Sequence, residues 1–158
     1  MLNKSANALE RWKGFDQAID RWLEERHDLI VKLSEFAHLR DNHVSEDARR
    51  GTVRSFTRLL IDYISAGNFE FYHRLMEEGR DNHNDQAVQE AAGLRPVIDA
   101  ATEHALQFNE KYGQPANLDN LPDDLSELAE KLVALFDAED WMISHLHSEQ
   151  IEDSAENR

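Results

Sequence analysis

One amphipathic stretch sets the fold: residues 15–36 read FDQAIDRWLEERHDLIVKLSEF. Its apolar side chains recur every three or four residues, so at about 100° per residue they share one face of a helix. They are Phe15, Ile19, Trp22, Leu23, Leu29, Ile30, Leu33 and Phe36. The pattern predicts a helix over about 6–39, with Gly14 as a point where it could break.

The same spacing continues beyond this stretch and predicts two further helices. The second is expected to start near Ser45, whose hydroxyl can cap it. It should end at Ala66-Gly67, because glycine readily takes the left-handed conformation of a helix C-terminus. A short third helix is then expected over 68–78, and it should stop at Gly79.

Two more helical regions complete the predicted fold. The first covers about 85–112, where Gly93 and Pro96 predict a short piece, a kink and a longer piece. The last helix is expected over about 122–151, and residues 152–158 form an acidic tail that we expect to be frayed. Four long helices and a short fifth indicate an all-α antiparallel bundle without a sheet.

The length and the absence of cysteine bound the class of protein. The 158 residues fit one domain, expected over 1–151. With no cysteine, disulfides, thiolate metal sites and cysteine nucleophiles are excluded, which suits the cytoplasm. The first twelve residues lack the apolar core of a secretory signal. No stretch approaches the roughly 18 apolar residues of a membrane span. We therefore expect a soluble, cytoplasmic protein.

The charge points to a class of partner. The formal net charge is −15, from 17 Lys and Arg against 32 Asp and Glu, and residues 61–158 hold 22 of these acids. Such a charge disfavours direct binding to nucleic acid or anionic membranes, because both need cations against phosphate. It would attract a basic protein. The alternative is that the charge serves solubility alone.

Two charged residues lie on apolar faces of their predicted helices. Arg26 falls near the centre of the apolar face of the first helix, and Glu139 falls on that of the last. Because an unpaired buried charge costs several kcal/mol, we predict that the two side chains meet inside the bundle, with Tyr63 or His104 completing the hydrogen bonds. The alternative is that each side chain extends to solvent at a bundle end.

Two Glu-x-x-His pairs, Glu24 with His27 and Glu70 with His73, raise the question of a metal. In di-iron bundles such pairs project inward. Here Glu24 lies about 170° from the centre of its apolar face, and Glu70 lies on a helix too short for a bundle wall. No glycine-rich phosphate loop or glycine-flanked serine elbow is present. We expect no metal, no cofactor and no catalysis, and a metal-dependent bundle enzyme is kept as an alternative.

Binding is the function that remains. Asp62 should be exposed, because it lies about 130° from the apolar face of the second helix. The short third helix is apolar on two sides. One side carries Phe69, Tyr72 and Met76, and the other carries Phe71 and Leu75. Such a helix is either fully buried, or it seats one face in the core and offers the other to a partner.

Three segments resemble the signatures of the Rsd/AlgQ family. Residues 19–26, IDRWLEER, followed by Leu-Ile at 29–30, resemble its N-terminal signature, and residues 60–72, LIDYISAGNFEFY, resemble the central one. A third segment, FDAED at 136–140, is a shorter match, and the resemblance spans about 1–146.

The sequence departs from the family pattern at two positions within these segments or beside them. Asn68 stands where the family has a histidine, and Leu135 stands where an arginine often precedes the phenylalanine. The first change would alter contacts at a binding face, and the second would alter local salt bridging.

The resemblance implies an anti-sigma factor. Such a bundle binds the C-terminal, promoter-reading domain (region 4) of the primary sigma factor and limits its use by RNA polymerase. It implies that Asp62 contacts a sigma arginine, with Phe69 and Tyr72 as apolar contacts and Ala66 and Asn68 beside them. We expect a one-to-one complex in which the chain is a monomer. The alternative is a regulatory adaptor that acts on another protein, with sigma binding secondary.

Overall fold

A computed structural model describes the backbone of residues 2–41, 45–114 and 117–147, with the side chains of 14–36 and of the two later ranges. These residues form helices joined by short turns, and none of them lies in a β-strand. The predicted all-α fold is confirmed. Residues 152–158, the expected tail, lie outside the described residues.

The first helix, α1 (Leu2–Asp41), is longer than predicted and passes through Gly14 without a break. A side chain added at Gly14 would meet nothing within 4 Å, so packing does not require a glycine there. Glycine costs a helix about 1 kcal/mol relative to alanine. Burial of the residues that follow, beginning with Phe15 and Ile19, stabilises the helix by more than this small cost, so the helix stays continuous.

The second helix, α2 (Glu46–Ala66), begins as predicted, with the Ser45 hydroxyl accepting from the Ala48 amide at 3.2 Å. The α-helix ends at Ala66, as predicted, but no left-handed cap forms at Gly67. That residue has φ −59°, in the right-handed region, and the chain continues through a π turn (Gly67–Phe71) into α3 (Tyr72–Asp81). The expected left-handed cap is therefore wrong.

Both glycines of this region serve close packing. A Cβ at Gly67 would lie 2.7 Å from the Tyr72 hydroxyl oxygen. One at Gly79, which α3 passes through, would lie 2.7 Å from Leu146 and 2.8 Å from Val88. The expectation that α3 stops at Gly79 is wrong, because the helix continues to Asp81. Neither glycine takes the left-handed conformation, and each lets a neighbouring side chain approach the backbone.

Three helices complete the described fold: α4 (Asp85–Ala92), α5 (Arg95–Tyr112) and α6 (Leu121–Leu146). The interruption at Gly93 and Pro96 is confirmed, since α4 ends before the first and α5 begins one residue before the second. The last helix ends at Leu146, whereas the prediction extended to Ile151, which lies outside the described residues.

The long helices pack in sequence, with α1 on α2, α2 on α5 and α5 on α6. Trp22 and Phe36 of α1 contact Tyr63 and Phe56 of α2 in reverse order, so these two helices are antiparallel. The Trp22 ring also stacks on Phe71 with centroids 4.4 Å apart, which joins the π turn to the core. Within the described residues, no helix has both the length and the apolarity to cross a membrane.

Replacement of Gly67 by alanine should lower the free energy of unfolding by about 1–3 kcal/mol, because the new methyl group must displace the Tyr72 ring. Gly14→Ala is the matched control. At that open position alanine should raise stability by up to ~1 kcal/mol through its better helix propensity. Urea unfolding measures both changes. Equal effects of the two substitutions would contradict a packing role for Gly67.

Candidate functional site

A carboxylate lies fully buried at the centre of the bundle. Glu139 of α6 is 0% exposed and accepts hydrogen bonds from the hydroxyl groups of Tyr63 and Tyr72, the latter at 2.5 Å. Arg26 of α1 brings its Nη1 to 3.7 Å from the Glu139 carboxylate. Side chains from α1, α2, α3 and α6 thus converge on one group, which fixes the register of these helices.

Arg26 combines the two arrangements considered from the sequence. It approaches Glu139 inside the bundle, and its Nη2 also pairs with the half-exposed carboxylate of Asp140 at 2.8 Å. Its side chain keeps 17% of its surface exposed. Tyr63 completes the hydrogen bonds, as expected. His104 does not, because its Nδ1 lies 3.1 Å from the carbonyl oxygen of Ala100.

The protonation of Glu139 is set by opposing effects. Burial raises the pKa of Glu139 to about 7, although the hydrogen bonds from Tyr63 and Tyr72 and the charge of Arg26 favour the ionised form. The same burial, together with the negative Glu139, raises the pKa values of Tyr63 and Tyr72, so both phenols stay protonated and donate. The network therefore links α6 to α2 and α3 through hydrogen bonds between protonated phenols and one carboxylate.

The π turn brings Tyr72 into this network. The amide of Tyr72 donates to the carbonyl of Gly67, five residues earlier, so the turn holds one residue more than an α-helical turn. The extra residue changes which side chains point inward. Phe71 and Tyr72 are both buried at 5% exposure, whereas Phe69 is 86% exposed.

An acidic and aromatic surface lies over the buried network. Asp62 is exposed on α2, and Phe69 follows it seven residues later, exposed on the π turn. Glu25 of α1 is also exposed and lies near Asp62. Partial burial and the negative charges of Asp62 and Asp28 raise the pKa of Glu25, although Arg21 acts in the opposite direction. We call Glu25, Asp62 and Phe69 the acidic–aromatic surface.

Three other residues expected at a binding face are less exposed than Asp62 and Phe69. Tyr72 is a core residue, and its ring cannot meet a partner without leaving Glu139, so its assignment as a surface contact is corrected. Asn68 is half-buried, and its Nδ2 donates to Thr102 at 3.0 Å and to the Ile64 carbonyl at 3.1 Å. Ala66 packs, partly buried, against the core.

The Glu-x-x-His pairs do not assemble a metal site. Glu24 and His27 are both exposed on α1. Glu70 pairs with Arg74 at 3.2 Å, and His73 pairs with Glu77 at 2.7 Å. Within the described parts of the chain, no group of three or more His, Asp or Glu side chains is arranged to hold a metal ion.

The contacts of several side chains at these sites were not predicted from the sequence. Glu25 and Asp140 depend on how α1 packs beside α2 and α6, which a single-helix projection does not give. Tyr72 depends on the π turn. Glu78 and His147 are in contact because α3 packs beside the end of α6. The one local signal was that Tyr72 follows a glycine by five residues, which is the spacing that a π turn joins.

Comparison with known proteins gives a consistent result. The family model for the regulator of the RNA polymerase sigma(70) subunit, Rsd/AlgQ, matches residues 1–147. A regulator of sigma D from Shigella dysenteriae serotype 1 is 28% identical over 148 residues, which cover 90% of this chain and 92% of that protein.

Two further relatives carry the same name. The regulator of sigma D from Yersinia pseudotuberculosis serotype O:1b is 27% identical over 154 residues, covering 90% of this chain and 87% of the relative. The protein from Escherichia coli O139:H28 is 28% identical over 148 residues, covering 90% and 92%. No solved structure gives a significant match.

Glu139→Gln should change how stability depends on pH. Because the folded state raises the pKa of Glu139 from 4.5 to about 7, it binds this proton more tightly than the unfolded chain. The wild type should therefore lose free energy of unfolding, relative to the Gln variant, as the pH rises from about 4.5 to about 7.

Urea unfolding across this range measures the difference. Glu130→Gln, at an exposed position of the same helix, is the control and should keep the wild-type profile. Parallel profiles for the wild type and Glu139→Gln would show that Glu139 titrates as an ordinary glutamate.

Proposed function

The chain belongs to the Rsd/AlgQ family of regulators of the RNA polymerase sigma(70) subunit, and from this premise we propose that it binds region 4 of that sigma factor. In this proposal the acidic–aromatic surface of Glu25, Asp62 and Phe69 covers the basic, promoter-reading face of region 4. Occupation of that face would limit the use of the sigma factor by RNA polymerase. The exposure of Phe69, on the chain segment that follows the exposed Asp62, is the observation that carries the proposal.

The chemistry of the surface suits such a partner. A protein face that binds DNA presents Arg and Lys to phosphate, so a surface rich in carboxylates can compete for it. An arginine can bind a carboxylate through two parallel hydrogen bonds. Asp62 and Glu25 offer two such groups from adjacent helices, and their mutual repulsion, which raises the pKa of Glu25, would be relieved by a guanidinium between them.

Phe69 supplies the apolar part of the contact. At 86% exposure it is the most exposed of the large apolar side chains among the described residues. Aromatic side chains are enriched among the residues that contribute most binding energy at interfaces. In this proposal Phe69 enters an apolar pocket of the partner, and Asp62 and Glu25 meet the basic rim of that pocket.

The surface is held rigid from beneath. Tyr63 follows Asp62 directly in the chain and points inward to Glu139, and Tyr72 fixes the π turn that presents Phe69. Because these residues are ordered before a partner arrives, binding loses little conformational entropy. In this proposal the buried network therefore supports binding without touching the partner.

We also propose a stoichiometry for the complex with the sigma factor and a cellular compartment in which the chain acts. A single acidic–aromatic surface on each chain leads us to expect one sigma domain per monomer. Because the target works within RNA polymerase, the chain would act in the cytoplasm. The regulatory adaptor remains the competing hypothesis, with sigma binding secondary.

Asp62→Ala and Phe69→Ala should each weaken binding to the isolated region 4 domain by about 1 kcal/mol or more, roughly fivefold in Kd. The wild type should bind one-to-one and more weakly at higher salt, because exposed charge pairs are screened. Titration by calorimetry at two salt concentrations measures both effects, and circular dichroism checks that the variants stay folded.

The chain offers a matched control for each substitution. Glu110→Ala removes the same charge from an exposed position of α5, and Val133→Ala trims an apolar side chain of α6 that is 59% exposed. Both should bind like the wild type. If the domain binds but neither Asp62→Ala nor Phe69→Ala weakens it, the surface is wrongly assigned. A pull-down from bacterial lysate that retains another protein and no sigma factor would favour the adaptor.

A further inference from the structure

The outer face of α2 carries a straight stripe of residues that point away from the core. The helix packs against α1 and α5 through its buried side chains, such as Val53 and Leu60. On the opposite face lie Gly51, Ser55, Arg58, Asp62 and Ser65. Their spacing of four, three, four and three residues keeps them in line along the helix. Ser65 is half-buried and the other four are exposed, so no described part of the chain covers this face. We call these five residues the α2 stripe.

The α2 stripe is complementary to itself when a second copy runs antiparallel. Arg58 and Asp62 lie two residues on either side of Leu60, and Ser55 and Ser65 lie five residues on either side. A twofold axis at the level of Leu60 therefore sets Arg58 opposite Asp62 of the second copy, and it sets Ser55 opposite Ser65. Symmetry repeats each pair. The serines are small enough for the two helices to approach closely, and each cation then faces a carboxylate.

The charges of the stripe select this orientation. Arg58 and Asp62 are four residues apart, yet neither forms an ion pair within the described structure. A parallel arrangement would set Arg58 against Arg58 and Asp62 against Asp62, which costs Coulomb energy. The antiparallel arrangement joins opposite charges, and two charge-assisted contacts form across the axis. Because the stripe holds both charges, a second copy matches all of it, whereas a partner of one sign matches only part.

Phe69 extends the match beyond the stripe. It lies nine residues after Leu60, and Gly51 lies nine residues before it. The antiparallel arrangement therefore brings the Phe69 ring to the level of Gly51 of the second copy. A side chain added at Gly51 would meet nothing within 4 Å, so the surface there is open. A ring that is 86% exposed would lose part of its contact with water by packing there, which is favourable.

We propose that two copies of the chain associate through antiparallel contact of their α2 stripes about a twofold axis. The contact involves one helix of each copy, and small interfaces of this kind are transient. Exposed ion pairs contribute little individually, and the net charge of −15 on each copy opposes association. Physiological salt screens this repulsion beyond about 8 Å, whereas the paired groups are in contact. The dimer therefore forms as the concentration of the chain rises.

The dimer covers part of the acidic–aromatic surface, because Asp62 belongs to both. Self-association and sigma binding then exclude each other; this step rests on the proposed function, whereas self-association itself does not. Dimer formation lowers the fraction of the chain that is free to bind, and this weakens the apparent affinity for region 4. At high concentration the chain thus holds part of itself inactive, and the sigma factor releases it by binding the monomer.

Sedimentation equilibrium of the full chain at physiological salt tests the dimer. From micromolar to near-millimolar concentration, the wild type should pass from monomer toward dimer. Arg58→Asp and Asp62→Arg each set like charges opposite each other across the axis, so each variant alone should stay monomeric. An equal mixture of the two variants restores opposite charges in both pairs. It should therefore form a one-to-one heterodimer with a Kd close to that of the wild-type dimer.

A matched variant controls for the change in total charge. Arg80→Asp makes the same reversal at an exposed position of α3, outside the stripe, and should self-associate like the wild type. Circular dichroism checks that every variant is folded. A wild type that stays monomeric up to near-millimolar concentration would overturn the proposal. So would a mixture of Arg58→Asp and Asp62→Arg that does not associate.

Titration with the isolated region 4 domain separates self-association from the proposed function. Arg58→Asp keeps Asp62 and Phe69, so it should bind the domain at least as tightly as the wild type. Addition of the domain to the wild-type dimer should yield one-to-one complexes. A complex that holds two copies of the chain would show that the two contacts do not exclude each other. If the domain binds neither the wild type nor any variant, the proposed function is wrong, and the sedimentation result stands by itself.

Discussion

Satisfaction of the Glu139 carboxylate is the constraint on which the rest of the structure depends. A carboxylate with no solvent exposure is stable only when other groups replace its lost hydration. Tyr63, Tyr72 and Arg26 reach it from three different helices. Their convergence requires α1, α2 and α3 to hold fixed positions relative to α6. Apolar packing alone would tolerate a shift of one helix along another, but this polar contact would not.

The same constraint orders the surface. For Tyr63 and Tyr72, nine residues apart, to reach one carboxylate, the chain between them takes a π turn, and Gly67 makes room for the Tyr72 ring. The turn places Phe71 against Trp22 and leaves Phe69 outside. Phe69 is thus exposed by the same π turn that brings Tyr72 to Glu139. The buried network and the exposed Phe69 are two sides of one segment, so a change on one side affects the other.

Much of this arrangement was predictable from periodicity, because amphipathic spacing reports which side of a helix is buried. The helical projection also singled out Arg26 and Glu139 as charges facing inward, and it placed Asp62 outside. Interactions between helices were not predictable in this way. Glycine often marks a helix end, which is how Gly67 and Gly79 read in the sequence. In the structure a glycine is needed at each position because the side chains of Tyr72 and Leu146 come close to the backbone. His147 gave no signal within its own helix, since its partners come from α1 and α3.

Two buried ionisable groups, Glu139 and His147, make the chain more negative as the pH rises. Glu139 ionises against its burial, and His147, which contacts the carboxylates of Glu78 and Asp16, loses its proton. Meanwhile the net charge of −15, counted with neutral histidines, produces a self-repulsion that also grows with pH. The acids of the chain outnumber its bases by nearly two to one. A basic partner, as proposed for this chain, would reduce this self-repulsion by supplying positive charge.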